Sequence, residues 1–523
     1  MTKQTGVAAR FLKKTLLPVL LMSAGICAFF PMADAASTAA ANPADWGLAG
    51  KKNNVSEFKR YLDEQVPLLQ KKYGVPGVSI GVLEHGKIGY VVQYGYADKK
   101  AGHKLDAASR FQAGSISKSV TAWGILRLAE EGKLSLDDPV GEHLGNRSIP
   151  GMETIPEEVT IRRLLSHTAG LAPHPGYLGV EPGRELPTPE QSLAGAGMLN
   201  EPVKFAFTPG TEAAYSGAGY TILQMVIEEV SGQPFEDYME KQVLLPLGMN
   251  SSSFGQSKEG RVSLTKAYGY FGQELPDYRF TERAAAGLIT TAGDLMKLMQ
   301  ASLDTSNTEG TPLGRGVLTP DLVREMQTPV LGDNGLGIFS RSLPDGTTLL
   351  YHSGDNRGWH AFYGFIPASQ NGLVILTNSE NGIDLRQDVY HAWIRFETGT
   401  LPEGAAALAQ SRSLHQWVTY GLAAGLGIYL LLAALRIRSG RSVFLLNHPK
   451  PPYVRLLIRV MVLIVPSVLL YLGAYHWSLI GLQSGLKNIA LAVFAWLASL
   501  LVFGLFPKLP AKMQKKADAA SLR

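Results

Sequence analysis

Three apolar runs of membrane-spanning length stand at the C-terminal end of the chain, near 417–435, 454–475 and 489–507. Each is long enough to cross a hydrocarbon core of about 30 Å as a helix, so the chain is expected to divide into a three-helix transmembrane region over 416–508 and something globular before it. The loop between the first two runs holds Arg436, Arg438, Arg441 and Lys450, and the tail over 509–523 is basic, whereas the second loop has only Lys487 near the membrane. Basic residues gather on the cytoplasmic side, which puts the first loop and the tail inside and residues 36 to about 415 outside. The start of the chain gives the same orientation. Lys3, Arg10, Lys13 and Lys14 precede "TLLPVLLMSAGICAFF" and then Ala33-Asp34-Ala35, the pattern of an export signal over 1–35 with a small-x-small cleavage site. An uncleaved anchor is the alternative, and it leaves residues 36 to about 415 on the same outer side. The spans contain no acidic residue, so they are expected to anchor rather than transport, and their contacts are with membrane lipid, with a homodimer through these helices left open.

The one cysteine, Cys27, lies inside the signal; its removal leaves no thiol, which excludes disulfides and cysteine-ligated metals. A formal charge of +5 over 523 residues, with the basic residues at the two ends accounted for by topology, argues against nucleic acid as a partner.

The exported part, expected as one domain over 55–400 between linkers at 36–54 and 401–415, opens with the helical pattern "VSEFKRYLDEQVPLLQKKYG" and two β-rich runs broken at His85-Gly86. From about 115 to 300 the sequence reads as helices: "SKSVTAWGILRLAEEGKL", then "VTIRRLLSHTAGL" with Thr160 as its cap and Gly170 as its stop, then "YTILQMVIEEVSG", then "TTAGDLMKLMQASL" opened by a capping box from Thr291 to Asp294. "GLGIFS", "TTLLYHSG", "WHAFYGFIP" and "GLVILTNS" read as late strands. Strands at both ends around a helical block predict α+β architecture, one antiparallel sheet closed by early and late strands.

Within the first of those helices, "GSISKS" sets Ser115 three positions before Lys118. A serine hydroxyl is a weak nucleophile until a neighbour takes its proton, and residues i and i+3 share a helix face. A lysine serves as that base only where burial or nearby positive charge lowers its pKa. The pair alone carries little weight, since Ser484 and Lys487 repeat the spacing.

More residues join it. "GSISKS", "LLSHTAGL", "LLPLGM" and "AAAGLITTAGDL", in this order, resemble the penicillin-recognising serine hydrolases of class C β-lactamase type, over about 55–395. The resemblance implies a helical subdomain beside the sheet, Ser115 as nucleophile, and Lys118 with Tyr215 of "YSG" as the proton shuttle. The family's Tyr-x-Asn becomes Tyr215-Ser216-Gly217 here, so the asparagine that touches a substrate amide is replaced by Gly217. Its late-strand Lys-Thr-Gly is matched by His352-Ser353-Gly354, similar to peptidase and esterase members, with His352 implied as a hydrogen-bond donor near the tyrosine. The N–H groups of Ser115 and Asp355 are the implied oxyanion hole, and Asn356 a substrate contact. His167 reads as the cap of a helix C-terminus.

No Gly-x-Ser-x-Gly elbow, zinc-hydrolase histidine pattern, Walker motif or Rossmann glycine pattern occurs, and no cofactor or metal is implied. Signal, hydrolase and membrane helices together resemble membrane-anchored prodrug-activating peptidases. The expectation is an acyl-enzyme hydrolase of a small peptide or N-acyl-D-amino-acid substrate at the outer face of a bacterial cytoplasmic membrane. The alternatives are a β-lactamase or esterase of the same family, a penicillin-binding receptor without turnover, and a cell-wall protein.

Overall fold

The computed structural model describes residues 55–509 apart from 175–176, 198–199, 256–263, 305–311 and most of 446–483. The expected signal, the first linker, nearly all of the tail and most of the second span lie outside the described residues. The chain forms two compact units, Trp46–Glu403 and a second containing Gly404–Arg523.

The first unit begins with α1 (Val55–Tyr73), whose Phe58, Leu62, Val66 and Leu69 recur at helical spacing and are buried. The chain then folds into the hairpin β1 (Gly77–Glu84) and β2 (Lys87–Asp98). His85 and Gly86 both adopt positive φ, 46° and 78°, the pair of left-handed residues that a two-residue hairpin turn requires. With β3 (His103–Lys104), β4 (Phe339–Ser342), β5 (Thr348–Asn356), β6 (Trp359–Ile366) and β7 (Asn371–Thr377), the strands make one antiparallel sheet in the order β3-β2-β1-β7-β6-β5-β4. The early hairpin and the late strands join where Val78 lies opposite Thr377 and Leu83 opposite Gly372. Of "GLGIFS" only Phe339 and Ser340 enter a strand, because Gly337 turns the preceding backbone to φ +73°.

Both faces of the sheet are covered. Val78, Ile80 and Val82 of β1 and Leu373 and Ile375 of β7 pack with α1 and with Val389, Trp393 and Phe396 of α6 (Gly382–Thr398). Val374 and Leu376 point the other way, into a larger core with the helical block. Period-two alternation between two buried faces explains why these strands read as almost continuous apolar runs.

The helical block contains α2 (Ile116–Glu130), α3 (Ile161–Leu165), α4 (Gly217–Ser231) and α5 (Ala292–Ala301). α2 is buried nearly all round. Thr160 caps α3 by accepting from Arg163 N at 3.3 Å, as expected, but the helix ends at Leu165, well before Gly170. The capping box at α5 is half formed. Thr291 Oγ1 accepts from Asp294 N at 3.1 Å, while the Asp294 carboxylate is taken by Ser251 N and Ser252 Oγ, both at 2.8 Å.

In the second unit, α7 (Ala405–Arg438) starts in the alanine-rich run after Gly404 and so absorbs most of the stretch expected as a linker over 401–415. It is the one described helix long and apolar enough to cross a membrane. α8 (Ser484–Gly504) carries the third predicted run, whose apolar stretch Asn488–Gly504 is shorter. The second predicted run falls mostly outside the described residues, so three spans are an expectation that the fold meets in one helix. Ser484, of the repeated Ser-x-x-Lys spacing, opens α8 in this unit, whereas Ser115 belongs to the first. Trp496 Nε1 donates to Leu422 O at 2.8 Å, and Tyr429 packs on both Trp496 and Phe503. Positions seven apart on one helix therefore meet positions seven apart on the other in the same direction, which makes α7 and α8 parallel. Leu445 N bonds Leu505 O at the C-terminal end of the pair, while Ser484 opens α8 about 30 Å away along the axis.

Candidate active site

The site forms where α2 begins, under the free edge of β5. β4 covers only Thr348–Tyr351 of β5, so residues 352–356 have β6 on one side alone. The start of α2 fills the other side. A side chain at Gly354 would overlap Ala113 O and come within 2.8 Å of Ser115 N, and one at Gly114 would press on the backbone N of Asp355. Only glycine at 354 lets the strand and the helix start touch. Contact at that point sets the backbone N–H groups of Ser115 and Asp355 side by side.

Ser115 is the N-cap residue of α2, half-buried, with φ −65° and ψ −8°. One turn on, Lys118 is 2% exposed, its Nζ 3.1 Å from Ser115 Oγ and donating to Ala285 O at 2.8 Å. Burial pushes this lysine down to about 7. Tyr215 comes from the segment before α4. Its ring lies 4.9 Å from Lys118 Nζ, and its phenol is near enough to feel the Ser115 side chain. Burial raises the phenol well above its ordinary range, against the smaller lowering effect of Ser115. Hydroxyl, amine and phenol thus meet in one place, brought from a helix start and from a segment about a hundred residues later.

The other expected site residues fall out differently. His352, buried on β5, has its ring 6.3 Å from that of Tyr215. Its Nδ1 lies 2.6 Å from Ser353 O, a contact that requires the proton on Nδ1. Burial, with Lys118 nearby, lowers the ring to about 3 and keeps it neutral. Nε2 is therefore an acceptor, opposite to the donor role the resemblance implies. Asn356 is corrected more fully: it is 1% exposed and its amide donates to Gln112 Oε1 at 2.8 Å and Ala286 O at 3.1 Å. It ties the end of β5 to the floor beneath α2 and has no side-chain donor left for a substrate. Asp355 turns its carboxylate to Arg386 Nη1 at 2.8 Å and His360 Nδ1 at 2.6 Å. Burial raises this carboxyl, but Arg386 and His360 outweigh it and hold it well below the usual carboxylate range. His360, enclosed between Asp355 and Glu380, is held above its usual value despite burial.

Gly217 begins α4, and a Cβ there would come within 2.8 Å of Cε2 of Tyr177. The Tyr177 ring fills the space into which a longer residue would project, its hydroxyl 2.9 Å from Thr221 Oγ1. Sequence reading had no signal for this, since Tyr177 lies forty residues away in a segment with no periodicity. Nor could it find Ala285 O, a backbone acceptor. His167 does follow the end of α3, yet its ring turns inward and lies tilted against Tyr215, centroids 4.5 Å apart. Among the described residues no cluster of three His, Cys, Asp or Glu could hold a metal ion.

A sheet packed on both faces, with serine, lysine and tyrosine converging at its late edge, defines the class: a penicillin-recognising type of serine hydrolase. Residues 58–395 match the family model described as Beta-lactamase, and the chain belongs to that family. Penicillin-binding protein 4* of Bacillus subtilis (strain 168) is 31% identical over 350 residues, 64% of this chain and 75% of the relative. Among solved structures, SurE with D-Leu is 25% identical, with a TM-score of 0.50 over 64% of this chain and 74% of that one. A class C β-lactamase, 21% identical with a TM-score of 0.52 over 64% and 96%, shows likeness of fold alone.

Proposed function

We propose that this β-lactamase-fold serine hydrolase acts through an acyl-enzyme on Ser115, cleaving amide or ester bonds of small substrates with D-amino-acid character. The observation that carries this reading is Lys118: buried, 3.1 Å from the serine hydroxyl, and lowered to about 7 by burial. Near neutral pH a large fraction is an uncharged amine that can take the Ser115 proton as Oγ attacks the carbonyl. Tyr215, raised by burial, stays protonated and hands a proton to the leaving group, to be recharged from Lys118. Ser115 N–H and Asp355 N–H are the candidate donors to the oxyanion of the tetrahedral intermediate. Water then attacks the ester and releases the acid.

D-amino-acid character rests on the D-Leu of the SurE structure and on the penicillin-binding relative. Ester hydrolysis is the second reading, favoured by Gly217 and the Tyr177 ring beside it, which leave no side-chain amide where the family's asparagine stands. We place the catalytic unit on the outer side of a membrane, anchored through the C-terminal helices, in a prodrug-activating role. The test is a hydrolysis panel of N-acyl-D-amino amides, D-Ala-D-Ala peptides, simple esters and a cephalosporin, with wild type, Ser115→Ala and Tyr215→Phe. Turnover of a D-amino amide that Ser115→Ala abolishes supports the reading; rapid cephalosporin turnover alone points to a lactamase, and acylation without product release to a receptor.

A further inference from the structure

His167 is a residue whose cost the fold accepts without an evident return. It is a non-glycine residue at φ +60°, in the left-handed region that L side chains avoid. It is 6% exposed, and its Nε2 is buried with no hydrogen-bond partner among the described residues. Glycine would meet the backbone requirement more cheaply.

Its contacts show what the imidazole does. His167 O accepts from Ala214 N at 2.9 Å, and His167 Nδ1 accepts from Ser216 N at 3.3 Å. The backbone N–H groups of the residues before and after Tyr215 are thus held by one residue. Between them the imidazole lies against the tyrosine ring, centroids 4.5 Å apart at 43°, and Phe339 packs beside the pair, its centroid 6.2 Å from each ring. We infer that His167 is the positioning residue of Tyr215, fixing through its carbonyl and Nδ1 the short segment that delivers the phenol to Ser115. The inference rests on the reading of Ser115, Lys118 and Tyr215 as the catalytic group.

An acceptor at Nδ1 places the ring proton on Nε2, so the clamp exists only in the neutral ring. The titratable groups around it are Lys118 from α2, His352 from β5, Tyr215 itself and Tyr220 from α4, none of which favours a second positive charge. Burial, then Lys118 and His352, lower the imidazole well below its ordinary value.

Three substitutions separate the contributions. His167→Gly keeps the left-handed backbone and removes the ring, His167→Phe keeps a ring without the acceptor, and His167→Asn tolerates the backbone and offers Oδ1 near the place of Nδ1. The full chain in detergent is assayed with p-nitrophenyl acetate and with a fluorophosphonate probe for Ser115, and each variant is checked by thermal unfolding. Expected is a fall in kcat of about tenfold to a hundredfold for the glycine and phenylalanine variants, part of the loss that removing a general acid–base group brings, with KM within about twofold. Asparagine recovers most of it. In a Tyr215→Phe background, His167→Gly adds no further loss, because the histidine acts through the phenol. Equal losses in both backgrounds, wild-type kcat in all three variants, or losses that only follow the melting temperature overturn the inference. Wild-type turnover and labelling that survive Ser115→Ala overturn the underlying reading instead, whatever His167 does.

Discussion

At the scale of single residues, the charge state of Lys118 decides what the site can do. Lys118 accepts a proton only when neutral, so kcat/KM is expected to rise with pH through about 7 and level off above it; a stopped assay across the neutral range reads this limb. The same residue links to stability. Its folded-state pKa is depressed, so between about 7 and its ordinary value the unfolded chain binds more protons, and stability rises with pH across that window. Lys118→Met should abolish hydrolysis and yet raise the unfolding free energy near pH 7 by about 1–4 kcal/mol, since an apolar side chain replaces a buried amine, less what the lost Ala285 O contact contributes. Denaturant melts of both proteins check it. Gly217→Asn should cost about 1–3 kcal/mol by forcing its side chain against Tyr177, and Tyr177→Ala in the same chain should restore more than additivity allows.

Among the secondary elements, the decisive event is the meeting of β5 with the start of α2. Gly354→Ala drives a methyl into Ala113 O, and the strand must retreat from Ser115. Loss of one oxyanion donor typically lowers the rate about 10²–10³-fold, so Gly354→Ala should lose at least that while the sheet still folds; acylation kinetics beside circular dichroism decide the point. Much of this level could be read in the sequence. α1, the His85-Gly86 hairpin, α2, α4, α5 and the late strands stand where periodicity and turn residues put them, and the ordered motifs led to Ser115, Lys118 and Tyr215. What stayed hidden depends on partners remote in sequence. Asn356 looks like a ligand contact until Gln112 and Ala286 O claim its amide, and His352 looks like a donor until Ser353 O takes its one proton. α3 stops at Leu165 rather than Gly170 because the backbone turns left-handed at His167, φ +60°, a non-glycine position that no helix-stop signal marks.

For the whole molecule, an active unit and an apolar pair of helices make separable predictions. Leu414, Trp417, Ile428 and Leu431 of α7 are more than half exposed, which suits a helix with lipid around it. The full chain should sediment with membranes and be released by detergent but not by salt, whereas a chain ending at Glu403, where the first unit closes, should stay in the supernatant with its hydrolytic rate intact. Recovery of the full chain in the salt wash would remove the anchor from the proposal. The parallel run of α7 and α8 carries the point further. Two helices with the same heading cannot be the neighbouring strokes of a hairpin, so a bilayer holding both must be traversed an odd number of times from the start of α7 to the end of α8. By parity alone the residues just before α7 and those just after α8 would then belong to different compartments, and a tag inserted at each would answer to protease from opposite faces of a sealed vesicle.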